Sequence, residues 1–135
     1  MKRTFIDSGV LIEAARGTND VSVKSREIIS DTDREFASSI FVKLEVLPKA
    51  TYYKNVAEVA FYEDFFNSVV HWAHPDDRLM EAAYQLACDF GIADLDALHV
   101  AAAISVGAEE LITTEKPNKP IHRATGITVV SIRLA

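Results

Sequence analysis

Four acids in this 135-residue chain stand where solubility alone would not put them. Asp7 directly follows one apolar run, Thr4-Phe5-Ile6, and precedes another, Val10-Leu11-Ile12. Glu45 lies in Phe41-Val42-Lys43-Leu44-Glu45-Val46-Leu47, a segment apolar on nearly every side. Asp96 opens an Ala-rich stretch that runs to residue 103, and Glu115 comes shortly after Leu111-Ile112-Thr113. If these side chains converge, each pair of carboxylates ~5 Å apart repels by roughly 3 kcal/mol at an effective dielectric of 20. Several such pairs near neutral pH require protonation or a cation. A hard divalent ion, Mg2+ or Mn2+, suits carboxylate and water oxygens. Beside a phosphodiester, it would activate water and stabilise charge on the phosphate, which is the chemistry of hydrolysis. Each acid also has a structural alternative. Asp7 could cap a helix, Glu45 could face solvent, Asp96 could answer a helix dipole, and Glu115 could be an ordinary loop residue.

The elements that would position these acids are legible from periodicity and punctuation. Residues 4–6 read as a short buried strand ending at Asp7-Ser8-Gly9, and residues 10–16 as a helix stopped near Gly17. A second helix is expected over 20–30 and a strand over 35–38. Ser39 is placed to cap a helix ending about Leu47, because Pro48 disfavours continuation. Residues 55–68 carry helical apolar spacing, and 69–72 read as a strand. Asp76-Asp77 open a helix to Phe90, with Leu79, Ala83, Leu86, Ala87 and Phe90 on its core stripe. Asp94 is the expected N-cap of a helix over 95–106 that Gly107 closes. Strands follow at 110–113 and 128–132. Strands alternating with helices predict an α/β domain with a mostly parallel sheet and helices on both faces. Ligands of such sheets bind beyond the carboxyl ends of the strands, where Asp7 and Glu115 are expected.

The length suits one compact domain, taken as residues 1–135. Hydrophobic residues make up 49% and charged residues 25%, ordinary globular values that exclude a disordered or collagen-like chain. The single cysteine excludes an internal disulfide framework and a Cys-based zinc cluster, and fits a reducing, cytoplasmic setting. Twenty acids against fourteen Lys and Arg give a net charge of −6, which disfavours a general nucleic-acid coat. A nuclease remains open, since a small basic rim beside an acidic pocket suffices. No apolar stretch approaches the ~20 residues needed to cross a bilayer, so no membrane role is expected. Asp7 and Glu13 interrupt the apolar run after Met1-Lys2-Arg3, so residues 1–16 are expected as mature structure rather than a signal peptide.

Together, FIDSGVLI with Asp7, Glu45 in its apolar helix, GIADLDALHVAAA with Asp96, and Thr113-Thr114-Glu115 resemble the PIN-domain nucleases over almost the whole chain. The resemblance implies a three-layer α/β/α sandwich and a metal-dependent ribonuclease using Mg2+ or Mn2+. It is similar to the small bacterial VapC-type members, which implies an RNA substrate, a cognate antitoxin of a type II toxin–antitoxin pair, and a homodimer. Asp7, Glu45 and Asp96 match the family's three principal acids. Glu115 stands where a fourth acid, most often Asp, is usual, and is expected to help position metal or water. Thr113 or Thr114 matches a family hydroxyl that hydrogen-bonds the site. Pro117-Asn118 depart from the usual Asp-Phe type pair, and Gly9 stands where many members have Asn. The alternative is a catalytically weak PIN-like regulatory or nucleic-acid-binding module, motivated by Glu115 and the negative charge. A receiver-like phosphoacceptor ranks lower, because Asp7 has no acidic companion nearby.

Among the remaining residues, His99 is expected as a buried histidine bonding its neighbours rather than a general base. His71, His74 and His122 lack mutual metal-ligand spacing. Cys88 is expected in the core. Tyr52, Tyr53, Phe61, Tyr62, Phe65 and Phe66 are expected as core or as a dimer face. Arg16, Lys43, Lys116 and Lys119 are candidates for a phosphate-facing rim through their proximity to the acids.

Overall fold

A computed structural model describes residues 1–133. Its centre is a five-stranded parallel sheet in the order β3-β2-β1-β4-β5. The strands are β1 (Lys2–Ile6), β2 (Arg34–Ser38), β3 (His71–Trp72), β4 (Glu110–Thr113) and β5 (Thr128–Ser131). Six helices connect them: α1 (Ser8–Arg16), α2 (Asp20–Ile29), α3 (Ile40–Tyr52), α4 (Val56–Ser68), α5 (Asp77–Phe90) and α6 (Asp94–Ser105). A short 3-10 turn, Pro120–Arg123, precedes β5.

Strand β1 is central, and Thr4, Phe5 and Ile6 are fully buried on both faces. Continuous apolar character is what a strand covered on both sides requires. Alternation sorts its neighbours. Phe5 packs toward His99 of α6, with ring centroids 6.3 Å apart. Phe36, paired with Thr4 and therefore on the opposite face, packs on Phe65 of α4 at 5.5 Å. Helices thus cover both faces, as the alternation of elements predicts. From β1 the chain builds outward through β2 and β3, then returns to the other side of β1 to add β4 and β5. The crevice of such a sheet opens where the order reverses, at the carboxyl ends of β1 and β4.

Several expectations need correction. Helix α3 does not end at Leu47 but runs through Pro48 to Tyr52. The proline forfeits one backbone bond to the Leu44 carbonyl. Leu44 and Pro48 are both exposed, so water can take that carbonyl, while Ala50 beyond them is buried and packs the last turn. Helix α6 begins at Asp94 itself, with Ala93 as the cap residue; the Asp94 carboxylate instead accepts the N–H of Leu95 at 3.0 Å. Cys88 is exposed. Nine residues beyond Leu79, it falls about 180° around the helix from the buried stripe. The aromatic segment divides: Tyr62, Phe65 and Phe66 join the core, whereas Tyr52 and Tyr53 are exposed. Strand β3 is shorter than 69–72, and Val70 is exposed.

Candidate active site

At the mouth of β1, Asp7 has extended backbone geometry and caps α1, its Oδ1 accepting the N–H of Ser8 at 2.8 Å. Capping therefore does not compete with a place in the site; the cap is what aims the carboxylate. The Thr113 hydroxyl at the end of β4 donates to Asp7 Oδ2 at 2.7 Å and accepts the backbone N–H of Glu115 at 3.1 Å. The Glu115 carbonyl in turn accepts from His122 Nε2 at 3.0 Å. One threonine thus ties the loop carrying Glu115 to the carboxylate of Asp7. Of the two candidate hydroxyls, Thr113 is the one that bonds the site. Thr114 plays a different part: a Cβ at Gly9 would lie 2.3 Å from its Oγ1, so a side chain at residue 9 would require the Thr114 hydroxyl to move.

Glu45 comes from the second turn of α3 and is half-buried. Its Oε1 accepts the Ser8 hydroxyl at 2.9 Å and a bond from His99 Nε2. The bond from His99, then the His99 charge and the Ser8 bond, hold the Glu45 carboxyl below its ordinary value against the opposing effect of burial. His99 Nε2 also stands 3.7 Å from Asp7 Oδ1. Burial drives the His99 imidazolium down, yet the Glu45 bond and the charges of Asp7, Glu45 and Asp96 outweigh it and leave its pKa raised. Donor atoms of Asp7, Glu45 and His99 lie within 4.8 Å of one another.

Asp96 projects from the first turn of α6 and is half-buried. Burial, then the carboxylates of Asp7, Glu115 and Glu45, push it up to about 6, with His99 opposing. The fold therefore brings Asp7, Glu45 and Glu115 within electrostatic reach of Asp96, while among the described residues it is Asp7, Glu45 and His99 that form the tight cluster. The four acids come from a strand end (Asp7), a helix interior (Glu45), a helix start (Asp96) and a loop (Glu115). The charge excess felt by Asp96 and the oxygen-rich donor set fit a hard divalent cation.

Two of the expected rim cations are engaged elsewhere. Arg16 pairs with Glu58 of α4 through Nε and Nη2, at 2.5 and 3.0 Å. Lys43 lies over the rings of Phe66 and Trp72, at 5.5 and 4.9 Å from their centroids. Lys116 and Lys119 are exposed on the loop after Glu115 and have no ion pair among the described residues. Sequence reasoning missed Ser8, which reads only as part of a turn signal. It expected His99 to be buried and bonded, but had no means of showing that its partners are site acids.

The fold is thus a parallel α/β/α sandwich with acids at the β1/β4 crevice, the place where sheets of this kind bind ligands. The PIN domain profile matches residues 4–116, and the chain belongs to the PIN domain family. No curated protein sequence matches it. Solved structures are similar in fold. VapBC2 from Rickettsia felis, bound to a DNA fragment from its promoter, shares 14% identity at a TM-score of 0.73, covering 97% of this chain and 99% of that one. DNA-bound VapBC from Salmonella typhimurium shares 17% at 0.69, covering 97% and 98%. Mycobacterium tuberculosis VapC20, described as a Sarcin-Ricin loop cleaving toxin, shares 16% at 0.62, covering 80% and 86%.

Proposed function

We propose that the protein is a divalent-metal-dependent endoribonuclease, the toxin of a type II toxin–antitoxin pair of the VapC kind. The observation that supports this reading is the gathering of Asp7, Glu45 and His99, whose donor atoms lie within 4.8 Å of one another, beside Asp96, which burial first and then the charges of Asp7, Glu115 and Glu45 push up to about 6. Asp7, Glu45 and Asp96 would hold Mg2+ or Mn2+, with Glu115 positioning metal or water. When bound, the ion supplies stabilisation of phosphoryl charge and activation of water. The chain's own contribution is preorganisation. Thr113 and the Ser8 N–H orient Asp7, and Ser8 and His99 orient Glu45. Lys116 and Lys119 would meet the RNA backbone beside Glu115.

Similarity in fold to VapBC assemblies supports a cognate antitoxin partner. We further propose that the 135 residues act as one domain, as a homodimer, in the cytoplasm. Among the described residues no helix is long and apolar enough to cross a membrane. The test is cleavage of RNA by pure protein with Mg2+ or Mn2+, with Asp7→Asn and Asp96→Asn as controls. The expected result is metal-dependent cleavage that both substitutions abolish. Equal cleavage by the variants would assign the activity to a contaminant. Metal binding without cleavage would favour the weak regulatory or binding module instead.

A further inference from the structure

His99 is the one nitrogen ligand type in the cluster, and its side chain is 1% exposed. Two roles fit its position. It could bind a cation directly through Nε2, or it could donate from Nε2 to Glu45. The other ring nitrogen decides between them. Nδ1 is buried and has no hydrogen-bond partner among the described residues. A metal-binding imidazole needs a lone pair on Nε2, so its proton must sit on Nδ1. Such a proton almost always finds a carboxylate, carbonyl or water, and that second bond is what aims the ring. Here it would be a buried orphan donor, the costlier kind of unsatisfied group. With the proton on Nε2, the orphan is only an acceptor, and the Nε2–H has Glu45 Oε1 as its partner. The imidazolium also carries a proton on Nε2, so neither form offers the cluster a lone pair there.

We propose that His99 is a positioning residue and not a metal ligand: its Nε2–H fixes the Glu45 carboxylate in the orientation that the cation meets. This rests on the metal reading of the site but not on RNA as substrate. It also implies an all-oxygen coordination sphere, with Ser8 as the second donor holding the same Glu45 oxygen.

The experiment is Mn2+ binding to the full chain, followed by titration of free Mn2+ and by pulsed electron paramagnetic resonance. The wild-type spectrum is expected to show no directly coordinated 14N. His99→Leu is expected to weaken Mn2+ binding about 10–100-fold, while His99→Gln, whose amide N–H replaces the Nε2–H, stays within about 3-fold of wild type. A directly coordinated nitrogen overturns the proposal. So does His99→Leu binding as tightly as wild type, or a folded His99→Gln binding as weakly as His99→Leu. Thermal melts monitor folding, and the wild-type spectrum decides the ligand question even if His99→Leu does not fold. Absence of Mn2+ binding by wild type sinks the metal reading and this proposal together. Mn2+ binding without RNA cleavage sinks the nuclease reading alone.

Discussion

Replacing Asp96 with Asn probes the electrostatics of the site apart from its activity. Burial and the surrounding carboxylates raise Asp96 from 3.8 to about 6. The folded protein therefore holds that proton more tightly than the unfolded chain does. The resulting stability is fully present below the unfolded value and is lost as pH rises through about 6. A shift of about two units corresponds to about 3 kcal/mol. Asp96 is half-buried, and screening by solvent reduces this to roughly 1–2 kcal/mol. Asn keeps the shape and removes the charge. In chelator at about pH 7.5, Asp96→Asn should therefore melt roughly 3–6 °C above wild type for a domain of this size. Toward about pH 4 the two should converge, because wild-type Asp96 is then neutral in the fold. Saturating Mn2+ should reverse the order, since a ligand stabilises the state that binds it and the Asn variant binds it less well. Thermal melts by circular dichroism, across pH and with chelator or Mn2+, measure all three. An Asn variant that melts below wild type in chelator at the higher pH would refute the reasoning, as would a difference that does not change with pH.

Thr113→Val removes the hydroxyl that bonds Asp7 Oδ2 and receives the Glu115 N–H. It should destabilise the fold by about 1–3 kcal/mol and weaken Mn2+ affinity, read by chemical denaturation and metal titration. Gly9→Ala should cost about 1–2 kcal/mol by overpacking against Thr114, and Thr114→Ala in the same chain should recover most of it, a coupling visible in a double-mutant cycle. Glu110 is buried at the opposite end of the sheet, where it pairs with Arg34 and accepts from Thr4. Glu110→Ala leaves a mostly buried Arg34 with the Asp31 carboxylate and the Thr4 hydroxyl as its remaining partners among the described residues, so it should lower stability by about 2 kcal/mol while leaving Mn2+ affinity unchanged. Lys116→Glu with Lys119→Glu should weaken RNA binding and flatten its salt dependence, measured with the Asp7→Asn protein to prevent cleavage.

The amino-acid sequence by itself determined the kinds of element and most of their ends. Those signals act over a few residues: apolar spacing at strand or helical period, Asp7 and Ser39 and Asp76 as caps, Gly91 in the left-handed conformation after α5. It also showed four acids placed at element ends or in apolar surroundings, since a carboxylate among core residues is conspicuous in one dimension. Cys88 was expected in the core and is exposed: residue type suggested burial, whereas its place on α5, opposite the buried stripe, decided otherwise. Tertiary structure alone decided the rest. Whether α3 survives Pro48 depends on solvent at Leu44 and on packing at Ala50, neither of which is local. Arg16 and Lys43 lie near the acids in sequence, yet Glu58 and the rings of Phe66 and Trp72 claim them. His99 lies 54 residues from Glu45 and Thr113 lies 106 from Asp7. Only the strand order, which returns the chain to β1 and lays β4 beside it, brings these partners within hydrogen-bond reach. Backbone periodicity sets direction along one element; which remote side chains then meet is set by how whole faces bury against each other.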